Sequence, residues 1–200
     1  MISKQTERSY FLNFLKNVPS DYGEQIGADI ILGTRSSQWK PFSPSLDVIA
    51  STRPILQDMG LDTSVKFNMT KSWRHGGKNF SIHSEHAGNS YIEFDYQGSK
   101  GYGVIQHIML PEGRMTPIFV LHYFHNLDPI DENRSPYRLL PHLNATVKYN
   151  LDLSLISIGS QHIFGHCAAL HNSAGTYGIS KPTVSVVSLR SMGIADMTTT

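Results

Sequence analysis

Residues 103–124 read Gly103-Val104-Ile105-Gln106-His107-Ile108-Met109-Leu110, then Pro111-Glu112-Gly113-Arg114-Met115-Thr116, then Pro117-Ile118-Phe119-Val120-Leu121-His122-Tyr123-Phe124. Two apolar runs rich in β-branched and aromatic residues flank a short Pro/Gly segment with the composition of a hairpin loop. The stretch predicts two neighbouring antiparallel strands. Upstream, Tyr91-Ile92-Glu93-Phe94-Asp95-Tyr96 predicts another, closed by Gln97-Gly98-Ser99-Lys100-Gly101 as a turn, and Val65, Phe67 and Met69 alternate with polar residues. Downstream, Thr146 to Ile158 alternates again and Thr183 to Leu189 is a β-branched terminal strand, while residues 126–144, with prolines at 129, 136 and 141, read as a long polar loop. About six short antiparallel strands in this span fit a small antiparallel barrel or a strongly bent sheet.

The first sixty residues follow a different period. Tyr10, Phe11, Phe14 and Leu15 repeat at helical spacing until Pro19. Asp21, with Glu24 three residues on, can cap a second helix that ends at Gly33. Residues 34–46 have the composition of a linker, and a short helix around 47–59, interrupted by Pro54, ends at Gly60. The expectation is a mainly β fold with a helical N-terminal segment (α+β): residues 1–60 helical with a linker, 61–192 the β module, and 193–200 a frayed tail.

Composition narrows the class further. Charged residues make up 16% of the chain, and ten prolines and sixteen glycines accompany them, which argues against a coiled coil or a charge-rich disordered chain. A net charge of +1 supplies no global field toward nucleic acid or an anionic membrane, so any such contact needs a local patch. No run approaches the roughly 20 apolar residues of a membrane span. The single cysteine, Cys167, excludes an intrachain disulfide. The opening residues 1–8 carry no apolar core of signal-peptide length behind them. The expectation is an intracellular protein, with the Asn-x-Ser/Thr triplets at Asn68, Asn79, Asn133 and Asn144 accidental.

Several clusters could carry chemistry. His162, His166, Cys167 and His171 lie close together, but their spacing matches no zinc finger, and an extended Gln161–Leu170 would turn Cys167 away from His162 and His166. Satisfied or exposed histidines are the preferred reading, and no metal or cofactor is assigned. His83-Ser84-Glu85-His86 lacks the His-Glu-x-x-His spacing of a metalloprotease helix. Cys167 as a nucleophile would need a base beside it, and His166, adjacent in sequence, projects to the opposite side of a strand; a small buried thiol is preferred. No catalytic residue is assigned. Lys71, Trp73, Arg74 and Lys78 form the densest basic and aromatic run, which on a loop could hold phosphate and stack on a base. No phosphate-binding glycine loop is present.

The stretch from Asn89 to about Leu170 resembles a bromo-adjacent homology (BAH) domain. Asn89-Ser90-Tyr91-Ile92-Glu93-Phe94 is similar to that family's opening strand, and Gly101-Tyr102-Gly103-Val104-Ile105-Gln106-His107-Ile108 to its glycine-led second strand. Ile118 to Phe124 resembles the apolar-then-aromatic strand that follows, and Leu155 to Cys167 the closing region with its short Cys-bearing strand. Gly88 to Phe94 and Gly103 to Ile108 also resemble the β module that ends large transposon-derived proteins of fungi. The resemblance implies a nuclear, non-enzymatic recognition module for a histone, a nucleosome or another chromatin protein. Beside it, the basic run offers direct DNA binding, as in the targeting part of a transposase, and the histidines a metal-dependent hydrolase, as alternatives. It puts His122 and Phe124 at the positions of methyl-lysine cage aromatics, with Tyr102 or Trp73 available to complete a cage. The competing reading is that these rings fill the core.

Overall fold

The computed structural model describes residues 38–151 and 155–189. The helices expected over 10–33, the first part of the linker and the tail at 193–200 lie outside the described residues. The body is mainly β, as expected. Its strands are β1 Lys40–Phe42, β2 Phe67–Thr70, β3 Ser72–His75, β4 Lys78–Ser81, β5 Tyr91–Tyr96, β6 Ser99–Pro111, β7 Ile118–Tyr123, β8 His125–Asn126, β9 Ala145–Tyr149, β10 Leu155–Gly159, β11 Ile163–Asn172 and β12 Thr183–Ser188. The helices α1 Leu46–Asp58 and α2 Pro129–Glu132 accompany them.

The long strand β6 organises the sheet. It pairs with β5 from Ser99 to Val104, with β7 from Gly103 to Met109 and with β2 from Ile108 to Pro111, all antiparallel. The overlaps put β5 and β2 on one edge and β7 on the other. A bulge between Ile105 and His107 shifts the register with β7. That extra residue turns Ile108 to the same core as Ile105, together with Ile92, Phe94, Phe119 and Leu121, where strict alternation would point it away.

On β7, Ile118 and Val120 face a second core with Met109, Val48 and Leu56, while Phe119 and Leu121 face the first. Both faces of β7 are covered, which explains its unbroken apolar run. Each of these four side chains is fully buried, a contribution of about 1.5–3 kcal/mol apiece by transfer. Helix α1 supplies the second cover. Val48, Thr52 and Leu56 recur every fourth residue on its buried stripe, and the Thr52 hydroxyl is satisfied by donating to Val48 O at 2.9 Å. Pro54 sits inside this helix without ending it.

From β6 the sheet continues through β5, β11, β12 and β9 to β8, every pair antiparallel. One residue, Phe124, separates β8 from β7, and its amide donates to Tyr102 O at 2.9 Å. The sheet therefore bends back toward the strand it started from but is not closed into a barrel. A third core, of Tyr102, Val104, Phe124, Cys167, Val184 and Val186, fills the inside of the bend.

Four expectations change in detail. The body begins before residue 60, since β1 pairs with β2 and α1 packs on the second core. The expected strand Thr146–Ile158 is two strands, β9 and β10, with different partners. The turn placed at 97–101 is confined to Gln97 and Gly98, both at positive φ, and Ser99 already belongs to β6. The polar loop 126–144 is structured: it holds β8, α2 and two short 3-10 turns, Pro136–Leu139 and Pro141–Leu143.

Candidate recognition cleft

The incomplete closure leaves a cleft. Among the described residues nothing continues β7's ladder beyond Phe124, so Ser99–Gly101 of β6 have β5 on one edge and no described strand on the other. On β9, β12 covers Ala145–Tyr149, whereas β8 reaches only Lys148 and Tyr149. Lys100 and Tyr102 on one side, and Asn144, Ala145, Thr146 and Lys148 on the other, line a cavity of about 270 Å³ between these edges. Asn144 takes a left-handed conformation, φ 48°, as the loop turns into β9.

Two lysines set the electrostatics. Lys100, Glu93 and Tyr102 share one face of the β5–β6 pair, and Lys100 Nζ lies 3.1 Å from Glu93 Oε1. Glu93 is fully buried and accepts a hydrogen bond from the Ser188 hydroxyl, so much of the Lys100 charge is answered from below. Lys148 Nζ donates to Asn126 Oδ1 at 2.7 Å and stands 5.9 Å from the centroid of the Tyr102 ring. Burial is the main cause that lowers its pKa, with the Lys100 charge adding to it and Glu132 opposing.

The loop beside the cleft is pinned. Asp128 caps α2 by accepting from the amides of Ile130 and Asp131 at 3.1 and 2.9 Å. The Tyr149 hydroxyl lies 2.8 Å from Asp128 Oδ2 and 2.6 Å from Asp131 Oδ2, and its one hydrogen serves one carboxylate at a time. The first 3-10 turn packs on β9 through Tyr137, and Leu139 is 83% exposed, with Leu140 and Leu143 also exposed.

Among the sequence-derived ligand residues, Tyr102 and Phe124 come together and His122 stands beside them. Phe124 is 1% exposed and Tyr102 4% exposed, so both rings are packed inside the bend. Phe124 presents no open face, and the cleft wall that Tyr102 does reach carries ammonium groups, which repel a methylated lysine. The aromatic-cage assignment of Tyr102, His122 and Phe124 is thereby corrected to a core role for Phe124 and a wall for Tyr102. His122 is half-buried, 6.0 Å ring to ring from Phe124, and its buried Nε2 makes no hydrogen bond.

The basic run is not one patch. It sits on the β3–β4 hairpin rather than on a loop, and Trp73 pairs with Phe80 and packs against the first core and Trp39. Alternation along β3 sends Arg74 to the face opposite Trp73, while Lys71 is held by Glu85 at 2.7 Å. Lys78 is exposed at the hairpin end, across from His75. Arg74 is thus parted from Trp73, while Lys78 falls on Trp73's face at the far end of the hairpin.

The histidines disperse in the same way. His166 stacks on Phe80 at 4.6 Å between centroids, and His171 Nε2 bonds the Tyr91 hydroxyl at 2.9 Å. Cys167 lies in the third core, where burial and then Glu93 push its thiol up to about 12, so it stays protonated at neutral pH. Among the described residues no three of His, Cys, Asp or Glu converge as a metal set. No described helix is long and apolar enough to cross a membrane. Comparison with protein families, with curated proteins and with solved structures finds no match to this chain.

Sequence reasoning missed Lys100, Asn144, Ala145, Thr146 and Lys148, because lysines on a turn and on an alternating strand look like a solvated face. The available signal was Glu93, a lone carboxylate flanked by Ile92 and Phe94, which a buried strand tolerates only with partners.

Burial leads in holding the imidazoles of His107, His166 and His171 below the usual 6.5, with Lys78 adding to it at His166 and His83 and His122 at His171. The folded state prefers neutral rings, so the unfolded chain takes up protons first on acidification. Stability is then full above about pH 6.5 and falls as the pH drops below it. Urea midpoints at about pH 7.5 and pH 5.5 are expected to show the loss; a midpoint that rises on acidification would contradict it.

Proposed function

We propose that the β body is a non-enzymatic recognition module of the nucleus, of BAH-like or fungal transposon-derived kind, whose partner is a histone, a nucleosome or another chromatin protein. The observation that carries this is the cleft between the open edges of β6 and β9, entered at Asn144 by a loop that exposes Leu139, Leu140 and Leu143. Exposed leucines held on a pinned loop beside a cavity suit a protein partner, since grouped apolar side chains at the surface mark interaction sites. The glycine-led β6 and the apolar β7 support the BAH-like part of the reading. Direct DNA binding receives less support, because Arg74 and Trp73 point to opposite faces of their hairpin.

The test is a titration of the purified chain against reconstituted nucleosomes, with the same DNA free as competitor, at two salt concentrations. Preference for nucleosomes that persists at the higher salt is expected. Equal, salt-sensitive binding to nucleosomes and free DNA would transfer the function to DNA contact. Replacing Leu139 and Leu143 together by Asp is expected to weaken nucleosome binding about tenfold or more, with the urea midpoint unchanged because both side chains are exposed.

A further inference from the structure

We propose that the cleft takes an extended acidic segment of the partner protein, laid along the open edge of β9 with one of its carboxylates at Lys148. The inference rests on the recognition reading above and names the ligand of that same cleft. Three features of the site point to this chemistry.

The first is the edge itself. Ala145–Val147 are already in extended conformation, held straight by β12 on one side, and on the other side no strand among the described residues pairs with them. An extended chain can add there through main-chain hydrogen bonds, with alternate side chains directed to the two faces. Lys100 and Tyr102 of β6 form the opposite wall, so the added segment lies between two strands.

The second is charge. Lys148 has no carboxylate within 4.0 Å among the described residues, and its ammonium sits in a partly buried place between Asn126 and the Tyr102 ring. Lys100 is already answered by Glu93. Lys148 is thus the lysine of the cavity with no described carboxylate in contact, Glu132 acting on it only from beyond ion-pair distance. A ligand carboxylate would supply a charge-assisted hydrogen bond and join Glu132 in offsetting the Lys100 repulsion on the ammonium.

The third separates a peptide from a nucleic acid. The cleft offers main-chain donors and acceptors along an edge, which match another main chain. Stacking a base needs an exposed ring, and the one ring at the cleft, Tyr102, is 4% exposed.

The probe is a labelled peptide of alternating Thr and Glu, about eight residues long to match a strand, compared with Thr–Gln and Thr–Lys peptides of equal length. The Thr–Glu peptide is expected to bind at least about tenfold tighter than either. Lys148→Met, which keeps the aliphatic stem, is expected to erase that preference, and Lys148→Arg to restore most of it. Lys66→Met, an exposed lysine outside the cleft, should leave it unchanged. A Thr–Glu peptide that binds no better than Thr–Gln overturns the proposal and leaves Lys148 as a guard that keeps the edge unpaired. So does a Lys148→Met variant that folds and binds the peptide as the unaltered chain does. A single-stranded oligonucleotide of equal charge that displaces the peptide overturns the choice of protein over nucleic acid. Nucleosome binding without peptide binding removes the acidic segment and spares the recognition reading. Peptide binding without nucleosome binding does the reverse.

Discussion

Phe124→Ala is expected to remove about 3–5 kcal/mol of folding stability, the range for truncating a buried aromatic ring. The ring is 1% exposed at the junction of β7 and β8, and it touches the inside of the bend on every side. Its centroid lies 6.4 Å from Tyr91, 6.2 Å from His171 and 6.0 Å from His122, and Val104, Cys167, Val184 and Val186 complete the cluster. Removing it leaves a cavity where the sheet returns toward β6, and the surrounding strands are tied by their ladders and cannot collapse to fill it. The urea midpoint should fall by about 1–3 M, given the usual urea slope for a domain of this size. Phe124→Leu, which keeps most of the volume, should cost far less. A loss below about 1 kcal/mol for the alanine variant would show that the ring is not core and would reopen its assignment to a binding surface.

Gly103→Ala is expected to cost about 3 kcal/mol, the upper part of the usual range for overpacking. Gly103 pairs with Ile92 on β5 and with Tyr123 on β7, so its backbone is fixed from both edges. A methyl group there would meet His122 O at 2.5 Å and the Phe94 ring at 3.5 Å. The oxygen belongs to the backbone of β7 and can retreat only by opening the ladder. Chemical denaturation of the variant measures the cost, and a midpoint equal to that of the unaltered chain would mean that β6 and β7 are further apart than described.

The hairpin of β6 and β7 was legible because its apolar runs are long and its turn residues are unambiguous. The bulge after Ile105 was not, since Gln106 carries no mark that distinguishes a bulged residue from a paired one. Its consequence is large: it moves Ile108 onto the first core and Met109 onto the second. The continuous run Ile118–Leu121 announces a strand covered on both faces, but which elements cover it depends on where α1 and β10 pack, and that is tertiary information. The alternation rule failed over Thr146 to Ile158, which keeps a rough two-residue period although Ala145–Tyr149 and Leu155–Gly159 belong to different ladders.

The candidate site was legible only in outline. Of the residues expected to form a cage, Tyr102 lines the cleft, which lies between it and Asn144–Lys148. The aromatic residues drew attention because rings are chemically conspicuous, yet rings on short apolar strands are also what a core is made of. Lys100 and Lys148 are 48 positions apart in sequence and meet only because the sheet bends through β5, β11, β12 and β9. No spacing rule reports such a meeting.

The central claim is that partner recognition takes place at this cleft. Amide hydrogen exchange of the full chain, alone and with reconstituted nucleosomes, tests it most directly. The account predicts new protection at Ser99–Gly101, at Ala145–Val147 and in the turn over Leu139–Leu143, with the β3–β4 hairpin unchanged. Protection confined to Lys71–Phe80, or no change at the two open edges in a complex that forms, would contradict it.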